Sequence, residues 1–210
     1  MGQRFYAWVA VSGLVLACAG GYLVWRNAGA GPEPAVAPGG RFASATFIGD
    51  EAPLPPFEVV SDAGAFGNEK LRGRWSLLFF GYTHCPDVCP GTLMLLKRLQ
   101  EDLATRGLPL PQVVFLSVDP ARDTPQLLKE YVGHFDRSFI GVTGTDEALA
   151  PLVHHLGVRY ARNDDGQTPH YTVDHTTAIY LIDPEVRLRA VFSPPHDAPA
   201  MATDYARLIQ

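Results

Sequence analysis

"RWSLLFFGYTHCPDVCPGTLMLLKRLQEDLATRG", residues 74–107, is the stretch from which the fold is read. Its apolar run, Leu77 to Phe80, is closed by Gly81, and a short apolar run bounded by turn residues reads as a buried strand. Beyond the two cysteines, Leu95, Leu96, Leu99 and Leu103 recur at helical spacing and Gly107 ends the pattern, so a helix follows the strand. Pro90 has no N–H to donate and suits a first helical position. That places Cys89 at the helix cap and Cys85 in the loop before it.

The pattern continues downstream. "QVVFLSVDP" (112–120) is a second buried strand. "TPQLLKEYVGHF" (124–135) carries a Thr cap and a Pro at the first helical position, so it is a helix. "FIGVTG" (139–144) is a short third strand, and "DEALAPLVHHLG" (146–157) is a helix with a kink expected at Pro151. "TTAIYLIDP" (176–184) and "VRLRAVFS" (186–193) are close enough to form a hairpin, and "APAMATDYARLI" (198–209) is a terminal helix. Strands alternating with helices call for a mostly parallel sheet covered by helices, with the hairpin adding antiparallel strands. The expected class is α/β, a thioredoxin-like fold with a central mixed sheet flanked by helices. Ligands of such sheets gather beyond the carboxyl ends of the parallel strands, where Cys85 and Cys89 fall.

Upstream, the chain changes character. Phe5 to Trp25 carries no charge, is bracketed by Arg4 and Arg26, and has Tyr6, Trp8, Tyr22 and Trp25 near its ends. At about 1.5 Å per residue it spans roughly the 30 Å of a bilayer core. Residues 1–26 are therefore read as a transmembrane anchor or signal. "VLAC" (15–18) loosely resembles a lipoprotein cleavage box with Cys18 as the lipidated residue, although the apolar run continues past it. Each of these readings exports the remainder, so a membrane-anchored domain facing the periplasm or extracytoplasmic space is expected. "NAGAGPEPAVAPGG" (27–40) opens a flexible tether that runs to residue 44, and 45–210 is the folded domain. The 210 residues carry a formal charge of −5. Removing the first 26 leaves 15 basic against 22 acidic side chains, with no Lys/Arg cluster, which argues against a nucleic-acid partner.

Cys85 and Cys89 could be a structural disulfide, a redox couple or metal ligands. Side chains four apart on a helical turn share a face, close enough for a disulfide or for one soft ion. A helix N-terminus lowers a thiol's pKa and favours either task. Three residues separate the cysteines, where thiol oxidoreductases of this fold usually have two. Two thiolates alone make a poor zinc site, and a third soft or borderline ligand would favour copper. Of the seven histidines, His134, His154 and His155 lie on helices, His170 and His196 in Pro-bearing loops, and His84 beside Cys85 with a diverging side chain. His175 stands just before a strand, in the loop that faces the cysteine loop in thioredoxin-like folds. Asp174 beside it could orient the ring or place negative charge near a cation. Asp87 is a second carboxylate that could act near a metal. Arg122 and Asp123 are read as fixing their own loop, and Phe79, Phe80 and Tyr82 as core and pocket wall.

"FFGYTHCPDVCP", "SVDPARDTP" and "VDHTTAIYLIDP", in that order and with the apolar segment before them, closely resemble the Sco/SenC family of copper proteins over roughly residues 45–195. The resemblance implies copper ligation, as Cu(I) and/or Cu(II), by Cys85, Cys89 and His175, with Asp87 and Asp174 as candidate outer groups. It implies delivery of copper to the binuclear site of cytochrome c oxidase subunit II, with other copper chaperones or thiol reductases as further partners. No substrate turns over in that role, so no catalytic residue is assigned. The alternative is a thiol–disulfide reductase that cycles a Cys85–Cys89 disulfide and keeps the acceptor's cysteines reduced. The sequence departs from the family at "DPEVR" (183–187), where a glycine turn is frequent, so the hairpin turn is the element to examine.

Overall fold

The computed structural model describes residues 41–49, 52–163 and 171–210, all of which belong to one compact unit. The expected anchor, most of the tether, Cys18 and His170 lie outside the described residues. Among the described residues, no helix is long and apolar enough to cross a membrane.

Among the described residues, ten strands and five helices follow one another: β1 (Ala45–Phe47), β2 (Glu58–Ser61), β3 (Gly64–Gly67), α1 (Asn68–Leu71), β4 (Ser76–Gly81), α2 (Val88–Thr105), β5 (Gln112–Ser117), α3 (Pro125–Phe135), β6 (Ile140–Thr143), α4 (Asp146–Leu156), β7 (Tyr160–Asn163), β8 (Thr172–His175), β9 (Ile179–Ile182), β10 (Leu188–Phe192) and α5 (Ala198–Leu208). Eight strands form one sheet in the order β1-β10-β9-β4-β5-β6-β2-β3. β4, β5 and β6 are parallel, and β9, β10 and β1 extend the β4 edge with antiparallel pairs. On the other side, β2 pairs antiparallel with β6 and with β3.

The apolar run of β4 serves both faces of this sheet because side chains alternate along a strand. Leu77 and Phe79 pack with Leu93, Leu96, Leu99 and Leu103 of α2 and with Tyr205 of α5. Leu78 and Phe80 enter a second cluster with Leu149, Leu152 and Leu156 of α4. The mixed sheet flanked by helices is thus as expected, and the hairpin of β9 and β10 forms. Its turn uses Val186 at φ 66, the left-handed region that glycine occupies more readily, while its side chain is wholly buried. The Val186 N–H donates to the Asp183 carbonyl at 2.9 Å to close the turn.

Two features differ from the sequence reading. α2 begins at Val88 rather than at Pro90, so Cys89 lies inside the first turn and Asp87 takes the cap position. Pro90 is tolerated there because the N–H groups of a first turn have no intrahelical acceptor. α4 forms where it was expected, with Pro151 inside it, from its Thr145 cap to Gly157, which ends it at φ 66. Five strands, β1 and two pairs, were not anticipated. β2 and β3 extend the sheet, and β7 and β8 form a separate two-stranded antiparallel ribbon, with His175 opposite Tyr160.

Candidate metal centre

Cys85, Cys89 and His175 come together at the carboxyl end of β4. Their ligand atoms all lie within 4.8 Å of one another, and no other such cluster of three occurs among the described residues. Both cysteines are free thiols. The Cys89 backbone N–H, exposed by its place in the first turn of α2, donates to Cys85 Sγ at 3.4 Å. Cys85 is half-buried at the surface, whereas Cys89 is wholly buried. Cys89 Sγ faces His175 Nε2 at 3.4 Å.

The imidazole is oriented by backbone. Its Nδ1 lies 3.0 Å from the Thr176 carbonyl oxygen, which only accepts. Nδ1 therefore carries the proton, and Nε2 turns its lone pair toward the sulfurs. The rings of Phe79 and Tyr82 stand edge-on to His175, with centroids at 6.2 and 6.0 Å, and form the wall expected of them. Phe80 faces the opposite side of the sheet and meets Tyr180. Burial lowers the His175 pKa, against smaller raising contributions from Thr176 and the Asp174 charge, which favours the neutral, ligating ring. Burial pushes the Cys89 thiol up, against the lowering Tyr82 backbone, with Cys85 adding to the rise. This reverses the lowering expected from the helix start, because the sulfur is sealed from water. An ion binding between these groups must displace protons.

Both outer carboxylates lie at the surface. Asp174 is exposed; the Thr176 carbonyl holds the ring, and the Asp174 charge acts on it to raise its pKa. Asp87 is also exposed and makes no capping hydrogen bond. His84 turns outward onto Thr83 Oγ1 at 3.0 Å, and His196 Nε2 donates to the Thr177 carbonyl at 3.0 Å.

The buried acids near the site come from "SVDPARDTP". Asp123 is wholly buried and accepts from the Thr83 N–H at 3.0 Å, from Thr83 Oγ1, and from Ser117 Oγ at 2.6 Å. It fixes the start of the cysteine loop, a reach beyond its own loop that the sequence reading did not give it. Asp119, equally buried, pairs with Arg122 and accepts from the Tyr171 hydroxyl at 2.6 Å. Tyr171 gave no sequence signal, because a tyrosine before a short polar strand looks like any surface residue. Gly81 was read only as a strand stop, yet it leaves the space that Cys89 Sγ fills.

The sequence profile of the SCO1/SenC family matches residues 48–210. A SCO2-like protein of Rickettsia prowazekii is 41% identical over 130 residues, covering 61% of this chain and 63% of its own length. The chain thus spans less than two thirds of that relative. The crystal structure of Arabidopsis thaliana ScoI with copper bound superposes with a TM-score of 0.70 at 33% identity, over 75% of this chain and 98% of that one. A SCO1/SenC family lipoprotein from Bacillus anthracis superposes at 0.65 with 25% identity, over 75% and 95%.

Proposed function

This chain belongs to the SCO1/SenC family, and from that membership we propose that it is a membrane-tethered copper metallochaperone. Cys85, Cys89 and His175 hold one copper ion as cargo and pass it to the binuclear copper site of cytochrome c oxidase subunit II. The carrying observation is the meeting of two thiols and one imidazole lone pair within 4.8 Å. Thiolate and imidazole donors suit copper, and three donors leave an acceptor room to add its own ligand before the chaperone's leave. The copper-bound Arabidopsis relative supports the choice of ion. The uncharged Phe5–Trp25 segment and the Bacillus lipoprotein support the tether, with residues 45–210 as the exported domain.

Thiol–disulfide exchange is the second reading, favoured by the half-buried Cys85 thiol beside Cys89 at a helix start. It requires both cysteines but not His175, and this separates the two. His175→Ala is expected to weaken copper binding at least as much as loss of an outer-shell partner, roughly ten- to a hundredfold. Cells carrying it should lose oxidase copper loading while Cys85 and Cys89 still cycle between thiol and disulfide. Normal oxidase activity in those cells, at matched protein level and without added copper, would favour the reductase.

A further inference from the structure

His175 belongs to the β7–β8 ribbon, whereas Cys85 and Cys89 lie in the loop and helix that follow β4 of the eight-stranded sheet, and no main-chain ladder joins the two sheets among the described residues. Residues Thr176 to Ala178 join His175 to β9, and side-chain contacts between ribbon and sheet add to what holds the imidazole at the sulfurs. Val173 supplies apolar contact from β8, where it is 3% exposed within the α4-side core. One polar connection joins the Tyr82 hydroxyl to the Val173 backbone, and a second runs through Arg122. Its Nε donates to the buried Asp119 and its Nη1 to the Tyr171 carbonyl at 3.0 Å. Its guanidinium lies 3.6 Å from the centroid of the Tyr171 ring. The Tyr171 hydroxyl closes the circuit on the other oxygen of Asp119. Tyr171 immediately precedes β8, whose last residue is His175. On its other side Arg122 lies 5.6 Å from the ring centroid of Tyr82, the residue that also stands edge-on to His175.

We propose that Arg122 is a positioning residue for the metal centre. With Asp119 and Tyr171 it clamps the ribbon to the loop after β5 and thereby holds His175 Nε2 at the two sulfurs. A planar guanidinium suits this task, because it donates in two fixed directions while stacking on a ring. The neighbouring Asp123 holds Thr83 at the root of the cysteine loop. One turn, Asp119 to Asp123, thus fixes both halves of the site from a single place in the fold. The inference rests on the reading of Cys85, Cys89 and His175 as copper ligands.

The test is a copper titration of the full chain as wild type, Arg122→Gln, His175→Ala and the double variant, with urea unfolding of each metal-free protein. Paramagnetic resonance of the Cu(II)-loaded forms reads the imidazole nitrogen. Arg122→Gln is expected to lower copper affinity roughly ten- to a hundredfold and to weaken the nitrogen signal. Combined with His175→Ala it should add little further loss, since it acts through that residue. Additive losses, or wild-type affinity in Arg122→Gln while His175→Ala is weak, would overturn the positioning role and leave the ligand assignment standing. Wild-type affinity in His175→Ala, or no copper bound by the wild type, would overturn the assignment and this inference together. Should Arg122→Gln fail to fold, Tyr171→Leu is read in the same way, because it removes the stacked ring and keeps the Arg122–Asp119 pair.

Discussion

Gly81→Ala tests the packing of the metal centre without removing a ligand. A Cβ at residue 81 would stand 2.7 Å from Cys89 Sγ and 2.6 and 3.0 Å from Cε2 and Cζ of Phe115. Ordinary contact between such atoms is about 3.5–4.0 Å, so the sulfur and the ring must each retreat by about 1 Å. Neither is a loose end, for Cys89 and Phe115 are both wholly buried. Gly81 has no positive φ, so alanine is conformationally acceptable and the whole cost is one of space. Overpacking of this kind costs about 1–3 kcal/mol, and each kcal/mol lowers the melting temperature by roughly 2–4 °C in a domain of this size. Metal–ligand distances tolerate deviations of only about 0.2 Å, so a sulfur displaced by several times that amount should also bind copper more weakly. Gly91→Ala is the control. Nothing lies within 4 Å of its Cβ position on α2, and removing a helix-interior glycine stabilises by about 0.5–1 kcal/mol. Urea unfolding and copper titration of both variants provide the measurement. A Gly81→Ala protein with wild-type midpoint and affinity would refute the packing argument.

Two further predictions concern the frame of the domain. Asp204 is buried, which raises its pKa, but N–H donors from Ser44, Ala43 and Ala45 and the Ser44 hydroxyl outweigh this and hold it below the usual carboxylate value. Its stabilising contribution is therefore whole above the unfolded pKa of 3.8 and is lost as pH falls through the lower folded value. The stability gap between wild type and Asp204→Asn, read by urea unfolding, should narrow from pH 6 to pH 3, and a constant gap would disprove the charge argument. Val186→Gly relieves a left-handed backbone cost of about 1–2 kcal/mol but gives up a buried side chain contributing about 1.5–3 kcal/mol. A net loss of up to about 2 kcal/mol is expected, and a more stable variant would show that the turn's strain outweighs its packing.

The parts of the molecule that could be read from the sequence are those with a single dominant physical signal. β4 declares itself through four consecutive apolar residues, and α3 through Thr124 and Pro125 at its start. The α2 start was misplaced because Pro90 is as acceptable at the third helical position as at the first. The β7–β8 ribbon escaped because most of its residues are exposed and polar, leaving Val173 as the buried member of β8. His175 could still be selected from its place near the β9 strand and from the family motifs. The Asp119–Arg122–Tyr171 clamp could not, because 49 residues separate Arg122 from Tyr171 and nothing local ties them. Long-range polar contacts leave no periodic trace in a sequence.

The unequal burial of the two sulfurs gives the site a direction of traffic. Cys89 Sγ is enclosed by the Gly81 backbone, the Phe115 ring and the His175 imidazole, while Cys85 remains partly open to solvent. Whatever approaches from outside, whether ion, thiol or alkylating reagent, meets Cys85 first. Modification from outside should therefore fall on the outer sulfur and spare the inner one.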